Sequence, residues 1–141
     1  MLSDWQMYAL GSAVFAGLTT VFAKVGVMGL PSNTATLIRT VFILMFLIVL
    51  VAVRREWANP FSLSTKSLVF LVLSALATGL SWICFFRALQ SGQASLVAPL
   101  DKLSLCFAVL LSVLFLGERL SFQQWGGVAF MAIGALLVAI K

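Results

Sequence analysis

The chain contains no histidine, and its two cysteines, Cys84 and Cys106, each stand alone inside an apolar stretch. No imidazole is available to complete a metal site, and both thiols read as small apolar packing residues. No metal or other cofactor is expected. Catalytic sets are missing as well: no combination of nucleophile, base and orienting group is apparent. Lys102 and Ser104 share a helix, but at positions i and i+2 they point roughly 160° apart and make a poor dyad. An enzyme is therefore not expected. Charge is equally scarce. Nine Lys or Arg and four Asp or Glu make up 9% of 141 residues. That is too little polar surface to coat a soluble domain of this size. The formal net charge is +5. Its basic residues are scattered, mostly singly, and several lie within apolar runs, so no patch for nucleic acid forms.

What the chain does have is long apolar runs. It is 62% hydrophobic, with a mean hydropathy of +1.15. A hydrocarbon core about 30 Å thick is crossed by roughly 20 mostly apolar residues in a helix. Five stretches qualify: Trp5 to Leu30, Ala35 to Val53, Ser67 to Leu89, Ala94 to Leu116, and Phe122 to Ile140. Backbone groups in lipid must satisfy one another, so each span is expected to be a helix. The fold class expected is all-α integral membrane, with lipid as the outer solvent of a single five-helix bundle over residues 1–141. The first span is too long for a cleavable signal, and Asp4 precedes it without any Lys or Arg.

Punctuation separates the spans. Leu30-Pro31-Ser32-Asn33 closes the first and offers side chains to cap the second. Arg54 to Lys66 is the longest connector and holds Asn59-Pro60. Gln90-Ser91-Gly92-Gln93 reads as a tight turn, as does Gly117 to Ser121, where Ser121 and Gln124 form a capping-box pattern. Short turns make neighbouring helices antiparallel, so the N-terminus and the 54–66 and 117–121 connectors share one side. Trp5, Trp57 and Trp125 fall on that side, as an interfacial belt would; Trp82 lies inside the third span. Connector charges Arg54, Arg55, Lys66 and Arg119 also lie there, which alone would put the N-terminus in the cytoplasm. Lys24, Arg39, Arg87, Lys102 and Lys141 lie toward the other side. The bias is nearly balanced, and a balanced chain can insert both ways up. That is the condition for an antiparallel homodimer.

Several charges lie inside spans. Arg87 is roughly 13 Å and Lys24 roughly 10 Å from the midpoint of its helix. Both read either as snorkelling helix-end groups or as lining of a polar path. Arg39 is roughly 7 Å from its midpoint, and Asp101 and Lys102 roughly 5–7 Å from theirs. An ionisable group at such depth costs about 3 kcal/mol or more on insertion scales, so it faces a partner or water. Two readings stand for Asp101 and Lys102: a structural ion-pair network, with Arg39 as a possible member, or a wet charged lining. Asp101 is the sole acidic residue inside a span, and hence the one carboxylate placed to carry a coupling proton. Pro99 cannot donate to the Ser95 carbonyl and should kink its helix. The kink is either tolerated or exposes carbonyls to a cavity. Trp82 either walls the path or packs. Small and polar stripes (Ser12, Ala16, Thr20 and Lys24 on the first helix; Ser74, Ala77, Thr78 and Ser81 on the third) serve close packing or the same path. The embedded charges Lys24, Arg39, Arg87 and Lys102 against Asp101 leave an excess of positive charge, which favours carboxylate- or phosphate-bearing substrates.

Taken together, the residues resemble the EamA-type transporters of the drug/metabolite transporter superfamily. The matching pieces are Ala16-Gly17-Leu18-Thr19 with Lys24, then Arg39, then Arg87-Ala88-Leu89-Gln90-Ser91-Gly92 and Ala94-Ser95-Leu96-Val97-Ala98-Pro99-Leu100. Leu114-Phe115-Leu116-Gly117-Glu118-Arg119-Leu120-Ser121 and Trp125-Gly126-Gly127 close the match. The resemblance departs from the family pattern at Phe15-Ala16-Gly17 and at Asp101-Lys102. It implies a secondary transporter exporting small metabolites or drugs by alternating access. Most members carry two such five-helix repeats in inverted orientation, and this chain has one. The implied working unit is thus a pair of halves, most simply an antiparallel homodimer in a cell membrane, the inner membrane in a bacterium. The competing class is a non-transporting membrane partner or assembly subunit.

Overall fold

In the computed structural model, residues 3–59 and 62–140 are described, and they are helical apart from short turns and the 55–64 connector. In chain order the elements are α1 (Asp4–Gly26), α2 (Ser32–Arg54), α3 (Thr65–Ser91), α4 (Ala94–Asp101), α5 (Leu103–Leu111), a π-helical turn (Ser112–Leu116) and α6 (Phe122–Ala139). Five stretches are long and apolar enough to cross a membrane; the fourth, Ala94–Leu116, comprises α4, α5 and the π turn. Large apolar side chains are exposed along all of them, up to 92% at Phe122. A lipid solvent accounts for such a surface, and water does not. Helix hydroxyls within the spans turn back on their own backbone. Thr20 donates to the Ala16 carbonyl, Thr36 to that of Ser32, Thr40 to that of Thr36 and Thr78 to that of Ser74. Each polar side chain is thereby satisfied without leaving its helix.

The chain divides into two compact units, residues 23–90 and residues 1–22 with 91–141. The first comprises the end of α1, then α2 and α3. α1 stops at Gly26, four residues short of the expected boundary, because the backbone turns through Gly29 at φ 79°. Pro31 precedes α2, and its fixed φ suits a helix entrance. Ser32 already lies inside α2, so the side-chain cap expected from Ser32 or Asn33 is not formed. At its other end α2 closes with Arg55 left-handed at φ 54°. The Arg55 N–H bonds the Ala52 carbonyl and the Glu56 N–H that of Val51. This is a Schellman closure with arginine where glycine is usual. Pro60 lies outside the described residues. α3 runs on through Ser91, so the turn expected over 90–93 shrinks to Gly92 and Gln93, and Gln90 becomes helical.

The second unit contains most of α1 together with α4, α5, the π turn and α6; α4 and α5 lie against α6. The Cys106 thiol approaches the Val128 carbonyl at 3.6 Å, as a small packing residue with a weak donor does. The Leu116-Gly117-Glu118-Arg119-Leu120-Ser121 segment is a stop followed by a start. Gly117, left-handed at φ 69°, bonds the Ser112 carbonyl and ends the span in a π turn. Ser121 then caps α6. Its hydroxyl accepts from the Gln124 N–H at 3.4 Å, while the Gln124 side chain accepts from the Ser121 N–H at 2.7 Å. Both halves of the expected capping box are present.

Candidate functional site

Within residues 23–90, the polar groups gather where α1 and α3 end and α2 begins. A helix leaves its last carbonyls without intrahelical donors. Here side chains supply them. Gln90 on α3 donates its amide hydrogens across to the turn that follows α1, to the Val27 carbonyl at 3.1 Å and the Leu30 carbonyl at 2.5 Å. Lys24 on α1 reciprocates by donating to the Leu89 carbonyl in the last turn of α3. A cation there also complements the negative end of the α3 dipole. The three most buried large side chains, Val27, Phe86 and Leu89, belong to this same end. The ends of α1 and α3 are thus tied together, as expected if the 31–34 and 90–93 turns share one side.

One turn deeper, Arg39 of α2 meets Trp82 of α3. The guanidinium carbon lies 3.3 Å from the centre of the indole, in cation–π contact. Trp82 in turn receives Phe85 and Phe86 edge-on, with ring centres 5.7 and 5.3 Å away. Its placement inside a span, anomalous for an interfacial belt, is explained by this stack. An aromatic face shields an embedded charge without neutralising it.

Pro99, Asp101 and Lys102 sit together in the other unit, at an interruption of the fourth span. Pro99 has no N–H to give to the Ser95 carbonyl. Three residues on, the Lys102 N–H divides itself between the carbonyls of Ala98 at 3.3 Å and Pro99 at 3.1 Å. The backbone tightens, α4 ends at Asp101 and α5 begins at Leu103. The irregularity that follows Pro99 is thus a single residue, Lys102, next to Asp101 at the end of α4. Asp101 Oδ2 and Lys102 Nζ are 3.4 Å apart, with side chains 31% and 49% exposed. The pair is formed but not sealed.

The six singled-out residues thus fall into two groups. Lys24, Arg39 and Trp82 share residues 23–90; Pro99, Asp101 and Lys102 share the other unit. Sequence reasoning missed Gln90, which it assigned to a turn, and the paired phenylalanines that hold Trp82. The spacing of Gln90 one turn after Phe86 on a helical face was the available signal for it.

No solved structure matches the chain. Among curated proteins, an uncharacterized transporter in the cobO 3′ region of Sinorhizobium sp. is 53% identical over 140 residues, covering 99% of each chain. An uncharacterized protein of Methanocaldococcus jannaschii is 32% identical over 129 residues, covering 92% of this chain and 91% of its own. Protein RarD of Salmonella typhi is 27% identical over 136 residues; there the match takes in 93% of this chain but 45% of RarD. The model of the EamA-like transporter family matches residues 4–140, from the first turn of α1 to the residue that caps α6. With every spanning helix inside that match, the chain belongs to the EamA-like transporter family as a single five-helix repeat.

Proposed function

We propose that the chain is a membrane transporter that exports small metabolites or drugs by alternating access, working as a pair of five-helix halves in opposite orientations within the cell membrane. Family membership and a transporter-named relative of the same length support transport. That the chain spans less than half of RarD, together with the nearly balanced Lys and Arg distribution, supports pairing.

The observation that carries the reading is the broken fourth span. The Lys102 N–H stays bonded at the irregular turn after Pro99, but the partly exposed ion pair carried there is costly in hydrocarbon and useful beside water. In this reading the break borders the path and Asp101 is the proton carrier. Protonation of Asp101 dissolves its attraction to Lys102. The Lys102 ammonium is then freed toward the path, which couples proton binding to a change in lining charge. The other acidic residue within the spans, Asp4, stands at the very first position of α1, so Asp101 is the one carboxylate away from a span end.

The test is flux into proteoliposomes holding the pure protein, with a panel of labelled organic acids, neutral metabolites and organic cations, under an imposed proton gradient. Gradient-driven flux of at least one class is expected. Asp101→Asn should bring it to background while leaving insertion and folding intact, as judged by circular dichroism and monodisperse elution. Coupled flux unchanged in Asp101→Asn removes the carboxylate from the cycle. No flux for any class, with one constant foreign membrane protein recovered in pull-downs, favours the assembly-subunit reading.

A further inference from the structure

The Arg39–Trp82 stack has a property that packing alone does not require. A guanidinium carbon only 3.3 Å from the indole centre is a face-on approach. All five N–H donors of the fork then lie in a plane parallel to the ring, pointing sideways rather than into it. None of them is used by a described residue of its own unit: Trp82 is the partner of the Arg39 head group there. Nor does that unit hold a carboxylate to spare. Residues 23–90 contain six Lys or Arg (Lys24, Arg39, Arg54, Arg55, Lys66 and Arg87) and one acid. That acid, Glu56, stands 4.0 Å from Arg54 in the connector beyond α2. An embedded cation held by an aromatic face, with donors unspent and no counter-ion among the described residues of its own unit, is prepared for an anion that arrives from outside.

From this we infer that Arg39 and Trp82 form a binding site for the carboxylate group of a small organic acid. The fork of Arg39 donates two parallel N–H bonds to the two carboxylate oxygens. The indole fixes the plane of the fork, and Phe85 and Phe86, edge-on to Trp82, fix the indole. Pre-orienting a planar donor set in this way lowers the entropic cost of capturing a planar acceptor. The inference rests on the transport reading for its purpose, and names the class of substrate that reading leaves open; the site itself is defined by geometry.

The experiment uses the full chain in nanodiscs of neutral phosphatidylcholine, with Trp5, Trp57 and Trp125 replaced by Phe so that Trp82 reports alone. Benzoate is titrated against its uncharged counterpart benzamide. A saturable change in Trp82 emission is expected with benzoate and not with benzamide. Arg39→Lys keeps the charge but loses the fork, and should weaken benzoate at least about tenfold; Arg39→Gln should abolish the response. Circular dichroism and monodisperse elution identify any variant that has failed to fold, and the Arg39→Lys comparison then carries the result. Equal responses to benzoate and benzamide, or a benzoate response that survives Arg39→Gln, overturn the site. A response to discs containing phosphatidylglycerol, with benzoate inert in neutral discs, assigns the fork to a lipid headgroup and also overturns it. Flux in the proteoliposome assay separates the two ideas. Flux of another class without benzoate binding defeats the site and spares transport; benzoate binding without flux of any class does the reverse.

Discussion

Gln90 shows how much one side chain contributes when it sits between helix ends. Its amide spans two carbonyls in the turn that follows α1; the one on Val27 also accepts from the Leu30 N–H, so Gln90 matters most to the one on Leu30. Replacing it with Leu keeps bulk and helix propensity but removes both donors. A carbonyl left without a donor at a membrane end costs about 1–3 kcal/mol where water cannot reach it. Gln90→Leu should therefore destabilise the protein by about that amount in mixed-micelle unfolding. Gln90→Glu, which cannot donate when ionised, should be no better. Equal stability of Gln90→Leu and the parent would mean that water serves the Leu30 carbonyl and that the link from α3 to the turn after α1 is incidental. Arg39 teaches a related point about embedded charge. Its depth was readable from position, but its partner was not, because Trp82 lies 43 positions away and only the packing of α2 on α3 brings it close. Lys24 is similar. Sequence offered snorkelling or a path, while the structure gives its ammonium the Leu89 carbonyl, in the last turn of α3, as an acceptor.

At the scale of elements, the Gly117–Ser121 link separates two contributions that sequence alone merges into a motif. Nothing within 4 Å would meet a Cβ added at Gly117, so its constraint is backbone conformation. A left-handed φ costs a non-glycine residue about 1–2 kcal/mol. Gly117→Ala should lower unfolding stability by about that much, and Ser121→Ala by about 1 kcal/mol through loss of the cap. The two act at opposite ends of the link, with no shared partner, so the double variant should be close to additive. A Gly117→Ala variant as stable as the parent would show that the span can end without the left-handed turn. The five spans were legible because about 20 apolar residues in a row admit few alternatives. The capping box was legible because Ser and Gln three apart have one reciprocal geometry. Boundaries were less so: α1 ends early and α3 late, because turn conformation at Gly29 and the side-chain bonds of Gln90 decide them. The π turn before Gly117 had no signature in composition. Pro99 announced a disturbance of the fourth helix, but not its location at Lys102, where the backbone N–H is shared between the Ala98 and Pro99 carbonyls.

For the whole molecule, the decisive variable is which way up the chain inserts. Lys and Arg near helix ends set orientation, and those assigned to the two sides nearly cancel. A bilayer core traversed five times also leaves the two termini on opposite sides, so a reporter at Lys141 reads orientation directly. Roughly equal populations on the two faces are expected. The same balance makes orientation adjustable. Glu56→Lys with Ala58→Lys adds positive charge to the connector after α2 and should drive that connector to the cytoplasm. Arg54→Gln with Arg55→Gln removes it and should drive the connector outward. Arg54 and Glu56 are exposed in that connector, more than 60% each, so these changes alter charge with little effect on packing. Each biased variant expressed alone lacks an inverted companion and should lose flux, whereas co-expression of the two should restore it. Full flux from either biased variant alone would show that like-oriented copies suffice, and would replace the inverted pair with a parallel one.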